Sequence, residues 1–216
     1  MMSFFGAFMQ NSIAIDYLDE TGPVEVSFTI SESIHSEKVS ASVTFSAKGL
    51  QPIHPEGTVS INGTPLVAKK LQKQGYWYPL DIPKAAKYQL HVKRSSSVLE
   101  SVYTILPRKF IPQIPRHIPL SEDVIIRYDG PLIMKPERLF ITIGPLESEK
   151  GGQLWEITPK STIVGNEIIV AAKDIAKARI GRANFYVGLS SFQQPTGSGN
   201  RLTFAVGQAV EVSITD

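Results

Sequence analysis

Aromatic and basic side chains cluster in residues 69–79, which read KKLQKQGYWYP. In an extended strand Trp77 points opposite to the tyrosines on either side of it, so an aromatic ring remains outside whichever face is buried. An exposed aromatic ring beside lysines can stack on a sugar ring or on a nucleobase. We therefore predict a ligand-contact patch here, with plain packing of an edge strand as the alternative. The residues of this patch are Lys70, Lys73, Tyr76, Trp77 and Tyr78.

A second predicted contact surface is the loop at residues 195–200, PTGSGN, which lies between two predicted strands. A phosphate-binding loop needs a strand before it and a helix after it, so this Gly-rich stretch is not one. Loops at the ends of β-sandwiches often carry binding, and a plain hairpin connection is the alternative. The residues assigned to this loop contact are Gln194, Thr196, Ser198 and Asn200.

Catalytic and metal-binding motifs are not found elsewhere in the sequence. The four histidines lack the close spacing that lets two imidazoles share a metal, and no acidic run resembles a calcium loop. A Gly-x-Ser-x-Gly motif and cysteine are both absent, which excludes thiol hydrolases. Glu122, Asp123 and Asp129 fall in one region, where surface solvation explains them. We predict no catalytic residue, metal or cofactor; the alternative is a hydrolase whose carboxylates converge only in three dimensions.

The composition is that of an ordinary globular chain, with 216 residues of which 42% are hydrophobic and 19% charged. The net charge is only +2, and neither half concentrates basic residues, which argues against nucleic acid as a partner. No apolar run approaches the roughly 20 residues that span a bilayer. We predict an unknown protein or polysaccharide as partner and no transmembrane segment, and the sequence leaves the oligomeric state open.

The first nine residues, MMSFFGAFM, are apolar but lack a basic flank and a small-residue cleavage pattern. Three interpretations stay open for them: a first edge strand, a disordered or vector-derived end, and the remnant of a signal peptide. A signal peptide replaced by Met1 would not be visible in this sequence.

Alternation of apolar and polar residues with period two dominates the chain and predicts half-buried strands. Asn62-Gly63 predicts a type I′ hairpin turn, and Gly165-Asn166 predicts a type II′ turn. Helical periodicity is limited to one or two turns within residues 171–180. This pattern favours antiparallel β-sandwiches over an α/β scaffold. Two sets are each predicted to share a buried face: Val24, Val26, Phe28 and Ile30, then Val39, Ala41, Val43 and Phe45.

One short pattern occurs twice: Asp-Ile-x-Lys-Ala begins at Asp81 and again at Asp174, each time followed by an alternating strand and a Ser-rich tip. This is the pattern of the corner before the penultimate strand of an immunoglobulin-like sandwich. Tyr88 is placed to bury its ring and return its hydroxyl to a nearby backbone group. Ala183 holds the matching position in the second copy, and Tyr186 is predicted on the opposite face. Both aspartates are predicted to cap short turns.

The middle of the chain, residues 107–119, contains four prolines. Each proline removes a backbone donor and fixes φ, so this segment cannot lie inside a sheet and is predicted to be an extended linker or edge strand. Its interleaved apolar residues favour packing against the second half of the chain. Such a stiff segment would hold two modules within a limited range of angles.

The stretches SINGTPL, DIPKAAKYQLHVKR and IPLSEDVIIRYDGP resemble tandem immunoglobulin-like modules of bacterial envelope and surface proteins. The likeness covers most of the chain as a pattern, and the Cys-Trp-Cys arrangement of antibody domains is absent. It implies an all-β fold of two immunoglobulin-like antiparallel β-sandwich domains in tandem, residues 1–106 and 107–216, the second entered through residues 107–119.

The same resemblance implies a non-enzymatic binding, adhesion or structural role in the bacterial envelope. It also implies export to the periplasm or cell surface, with any signal peptide absent from this chain. The alternative function is a carbohydrate-binding module centred on Tyr76 to Tyr78.

Overall fold

The computed structural model describes residues 24–47, 51–53, 57–71, 75–94, 100–146, 155–193 and 200–216. Within these ranges the chain forms three β-sheets and a single one-turn helix. The prediction of an all-β protein with a short helical turn is therefore confirmed.

A nine-stranded sheet, called here the large sheet, is the largest of the three. Strands are numbered in chain order, and seven of them lie side by side, while β11 pairs with β17 and β3 pairs with β2. In spatial order the seven are β13 (Arg138–Gly144), β16 (Gly181–Gln193), β17 (Arg201–Thr215), β1 (Val24–Ser33), β2 (Lys38–Ala47), β7 (Gly75–Pro83) and β6 (Lys69–Leu71). The two additional strands are β3 (Gln51–Ile53) and β11 (His117–Pro119).

Two four-stranded antiparallel sheets accompany the large sheet. The first consists of β5 (Thr64–Pro65), β4 (Gly57–Ile61), β8 (Tyr88–Arg94) and β9 (Glu100–Ile105). The second consists of β10 (Ile111–Gln113), β12 (Val124–Asp129), β15 (Glu167–Val170) and β14 (Ser161–Val164). Helix α1 (Ala172–Ile175) follows β15.

Strands from both halves of the chain build the large sheet. β1 runs parallel to β17, in register from Ser27 opposite Arg201 to Ser33 opposite Gly207. β16 and β17 pair antiparallel and contain 13 and 15 residues. Both strands are longer than the short strands that the sequence predicts. The two predicted domains are therefore joined by backbone hydrogen bonds as well as by the Pro-rich segment. Parallel pairing leaves no local sequence signal, because the paired residues lie far apart in the chain.

One face of the large sheet is buried, as the alternation predicts. Val26, Phe28 and Ile30 of β1 are at most 3% exposed, and the predicted set on β2 is equally buried; the side chain of Val24 lies outside the described residues. The apolar faces of the two small sheets belong to the same hydrophobic cluster. The interior is thus shared by all three sheets.

Both predicted hairpin turns are confirmed. Asn62 and Gly63 have φ of 48° and 81°, as a type I′ turn requires at both positions. The Asn62 side chain strengthens the turn, since its Oδ1 accepts a 2.8 Å hydrogen bond from the backbone N–H of Gln89. Gly165 has φ of 57°, the first position of a type II′ turn.

The predicted corner at Tyr88 is also confirmed. The ring is fully buried, and the hydroxyl accepts a 3.2 Å hydrogen bond from the backbone amide of Ala85. Burial raises the pKa of Tyr88 above its ordinary value. At the matching place in the second half Ala183 is buried on the inner side of β16, while Tyr186 lies on the other face.

The predicted caps at Asp81 and Asp174 are wrong. Asp81 lies in β7, where its carboxylate accepts a 2.8 Å hydrogen bond from Ser40 Oγ. Asp174 lies inside α1, whose N-terminal residue Ala171 makes no side-chain capping bond. Asp123 caps this helix instead, because its carboxylate accepts from the Ala172 amide at 2.9 Å. The cap comes from 49 residues away in the chain, where a local pattern gives no sign of it.

The Pro-rich segment lies at sheet edges, as predicted. It contributes β10, which pairs with β12, and β11, which pairs with the end of β17. Its first basic residue, Arg108, forms an ion pair with Glu137 in which both side chains are largely buried, and Nη2 donates to the Leu132 carbonyl at 2.9 Å. Burial acts to raise the pKa of Glu137, but the hydrogen bonds and charge of Arg108 and the Met134 amide outweigh it and hold that pKa below its ordinary value.

Candidate binding face

The predicted aromatic patch is divided between the core and residues outside the described set. Tyr78 is only 2% exposed and meets the Phe45 ring edge-on, with centroids 5.4 Å apart. Its assignment to ligand contact is therefore corrected to core packing, because its ring is not accessible. The side chains of Lys70, Tyr76 and Trp77, and all of Lys73, lie outside the described residues, so for them the prediction stays a prediction.

Of the predicted loop contact, only Asn200 belongs to the described residues. Its Oδ1 accepts a 2.8 Å hydrogen bond from the Val26 amide, which ties the start of β17 to β1. Gln194, Thr196 and Ser198 lie outside the described part of the chain.

The carboxylates that the sequence places in one region have structural partners. Asp123 caps α1, and Asp129 forms a 2.7 Å ion pair with Lys109. Within the described ranges there is no group of three His, Cys, Asp or Glu side chains that could hold a metal ion. Within the same ranges, no helix is long and apolar enough to cross a bilayer.

The large sheet has a polar outer face, opposite the hydrophobic core. The alternation that buries Phe28, Ile30 and Val43 places short hydroxyl side chains on the other side of the same strands. We call this set of side chains the hydroxyl floor. Its members are Ser27, Thr29, Ser31, Ser33, Ser40, Ser42, Thr44, Ser46, Ser190 and Thr203.

Strand pairing arranges the hydroxyl floor as a grid. Ser190, Ala205, Ser31 and Ser40 stand side by side on four neighbouring strands. The adjacent row begins with Thr203, opposite Thr29 and then Ser42. Neighbouring strands lie about 4.8 Å apart, and side chains on one face repeat about every 6.7 Å along a strand. The hydroxyls are therefore regularly spaced in both directions.

Two residues of this floor are deeply set and carry a hydroxyl. Ser190 and Thr203 are each only 9% exposed, but neither hydroxyl oxygen is a buried atom without a partner. A hydroxyl can donate one hydrogen bond and accept two, so each can take part in more than one bond. Both side chains point to the outer face by register, so a ligand on this face could bond to them.

A pair of glycines continues the floor at one end. Gly188 lies directly opposite Gly207 on β16 and β17, and the ring of Tyr186 lies flat across both. A methyl group at either glycine would lie 2.7 Å from Tyr186 Cζ, so only glycine leaves room for the ring. Burial of the hydroxyl raises the pKa of Tyr186. This covering of glycines by an aromatic ring stabilises a sheet that would otherwise lack side-chain packing there.

Taller side chains border the floor on the side of β13 and β16. Phe140, opposite Gly188, is 45% exposed. The guanidinium carbon of Arg138 lies 5.3 Å from the centroid of the Phe192 ring, within the range of a cation–π interaction. On the opposite side of the floor stand Lys38, at the start of β2, and Asp81, on β7. Side chains longer than the hydroxyls thus stand on two sides of the floor, and we call the surface between them the trough.

The sequence contains a signal for this face that the prediction did not use. Residues 26–31 and 39–46 alternate apolar residues with serine and threonine, which identifies a strand face but not which strands share it. The chain matches no protein-family model and no curated protein sequence. The site is therefore defined by its geometry alone.

Proposed function

We propose that this chain is a non-enzymatic binding module of the bacterial envelope or cell surface, built from two immunoglobulin-like sandwiches that share a sheet. Two features support the sandwich architecture: the three sheets bury their apolar faces in one cluster, and the Tyr88 corner is typical of such folds. The residue ranges 1–106 and 107–216 remain the proposed domains, and export remains the proposed route to the envelope.

The outer face of the large sheet is the proposed contact surface, and the hydroxyl floor is the observation that carries this proposal. The solvated face of an antiparallel sheet is polar, and Lys, Glu, Arg and Asp are common on such surfaces. Here the centre of the face carries Thr29, Ser31 and Ser42 instead, with Ser190 and Thr203 nine-tenths buried beside them. A broad, shallow and regularly spaced polar surface of this kind suits an extended partner better than a small molecule, which needs a concave pocket.

A sedimentation experiment tests the proposed function. The purified chain is mixed with washed bacterial envelope preparations and centrifuged, and the fraction in the pellet is measured against protein concentration. A Ser31→Arg variant places a long cation in the middle of the floor, whereas Ser161→Arg makes the same change on the exposed strand β14. We expect retention of the wild type and of Ser161→Arg, and at least a tenfold loss of affinity for Ser31→Arg.

Circular dichroism and the thermal midpoint of each variant establish that it is folded, and Ser42→Arg serves as a second variant of the floor. Absence of wild-type retention, or equal retention of folded Ser31→Arg and Ser161→Arg, would contradict the proposal.

A further inference from the structure

We infer that the occupant of the outer face is an uncharged polysaccharide chain, which lies along the hydroxyl floor beside Phe140 and Phe192. This inference rests on the proposed function, because it names the ligand class of the same face. It places sugar binding on a different set of residues from the predicted aromatic patch, of which Tyr78 is buried while the other four residues stay a prediction.

The chemistry of the floor matches the chemistry of sugars. Sugar hydroxyls both donate and accept hydrogen bonds, and the Ser and Thr hydroxyls do the same because their O–H bonds rotate. A grid of such groups can satisfy a polyhydroxylated chain without requiring one fixed donor–acceptor pattern. Ser190 and Thr203 are nine-tenths buried on this face, and their hydroxyls can bond to a sugar hydroxyl directly or through a bridging water.

The composition of the floor disfavours a folded protein as the partner. Protein interfaces are enriched in Tyr, Trp, Phe, Met and Arg at their centres and depleted in Ser and Ala. The centre of the floor carries Ser31, Ser190 and Ala205, and none of them offers the large apolar anchor that a hot spot requires. Phe140, Phe192 and Arg138, which are of interface-enriched types, stand only at its border.

The charge of the face disfavours a polyanion. Among the described residues, the charged side chains on this face are Glu25, Lys38, Lys69, Asp81, Arg138, Arg182, Arg201 and Glu211. Five are positive and three negative, both signs are spread over the face, and Arg182 and Glu211 form an ion pair with each other. Nucleic acids and acidic polymers select surfaces with a concentrated positive charge. A face with dispersed charges of both signs suits an uncharged chain better than a polyanion.

Aromatic rings stand where they can contact such a chain. Phe140 offers an exposed ring beside the floor, and Phe192 stands directly opposite Thr203. The apolar face of a sugar ring can pack on either ring, while the Arg138 guanidinium over Phe192 offers hydrogen-bond donors to sugar oxygens. The strands from β16 to β7 are four steps apart, roughly 19 Å, which leaves space for one extended chain.

Titration with defined oligosaccharides tests the inference. Cellohexaose, maltohexaose and chitohexaose are the neutral probes, their trimers test length dependence, and heparin is the polyanionic comparison. Binding is measured by isothermal titration calorimetry. We expect at least one neutral hexasaccharide to bind, and to bind more tightly than its trimer.

Matched variants identify the surface. Thr203→Val removes a hydroxyl from the floor without changing the side-chain shape, and Thr162→Val makes the same change on exposed β14. We expect Thr203→Val to weaken hexasaccharide binding about three- to tenfold, the effect of one hydrogen bond, and Thr162→Val to leave it unchanged. Phe192→Ala is expected to weaken binding as well.

The inference is overturned if no neutral hexasaccharide binds, if only heparin binds with a steep dependence on salt, or if Thr203→Val binds as tightly as Thr162→Val. Its failure is distinguishable from failure of the proposed function. If Ser31→Arg abolishes envelope retention while no neutral oligosaccharide binds, the face is a contact surface for another class of partner.

Discussion

The tyrosine corner offers the sharpest test of how the fold is held together. Tyr88 is fully buried, and its hydroxyl accepts from the Ala85 amide at 3.2 Å. Tyr88→Phe keeps the ring and removes this acceptor. The amide of Ala85 then loses its hydrogen bond in a partly buried place, where solvent replaces the partner incompletely.

The expected cost follows from that loss. Removing one partner of a buried hydrogen bond typically destabilises a protein by about 1–3 kcal/mol. Because Ala85 is only partly buried, we expect about 1–2 kcal/mol for Tyr88→Phe. With a urea m-value of about 2–3 kcal/mol/M, the unfolding midpoint should fall by about 0.5 M.

Tyr186→Phe is the matched control. Burial alone raises the pKa of its hydroxyl, with no hydrogen bond contributing, and the ring covers the glycine pair with or without the oxygen. We expect its unfolding free energy to stay within about 0.5 kcal/mol of the wild type. Urea unfolding followed by circular dichroism measures both variants. Equal costs for the two variants, or no cost for Tyr88→Phe, would show that the corner hydrogen bond contributes nothing.

Three further predictions concern the glycine pair, the buried ion pair and the helix cap. Gly207→Ala should lower the free energy of unfolding, measured by thermal unfolding, by about 1–3 kcal/mol, because the new methyl group meets the Tyr186 ring. In a Tyr186→Ala background the same substitution should lower it by less. An equal loss in both backgrounds would contradict the steric explanation. The folded pKa of Glu137 is lowered, so its contribution to stability is present above the unfolded pKa of about 4.3 and is lost as pH falls through the folded value. Between pH 6 and pH 3 the urea unfolding midpoint should therefore fall more steeply for the wild type than for Glu137→Gln. Parallel pH curves for the two proteins would refute this. Asp123→Ala should destabilise by about 0.5–2 kcal/mol and speed hydrogen exchange at the Ala172 amide, which it caps; unchanged exchange at that amide would rule out the cap.

Local patterns account for much of the fold. The alternation in β1 and β2 identifies the buried side of each strand, because successive side chains in a strand point to opposite faces. Turn chemistry locates the hairpin at Asn62-Gly63, since both positions need positive φ. The Tyr88 corner is recognisable because its hydrogen bond spans only three residues.

The interactions that the local patterns missed are long-range. The cap of α1 comes from Asp123, whereas the sequence pattern predicts caps at Asp81 and Asp174. The burial of Tyr78 against Phe45 depends on which face of β7 meets the core, and the alternation of aromatic residues in that strand is compatible with either face.

The hydroxyl floor separates the two kinds of information. The serines and threonines of β1 and β2 share one side of their strands by sequence alternation alone. Their junction with Ser190 and Thr203 exists because β1 pairs in parallel with β17, across more than 170 residues of chain. Periodicity within a strand is a local property of the backbone, whereas the choice of neighbouring strand is made by the burial of apolar surface over the whole molecule. For that reason the character of each strand face could be predicted from the residues, but the assembly of those faces into one trough could not.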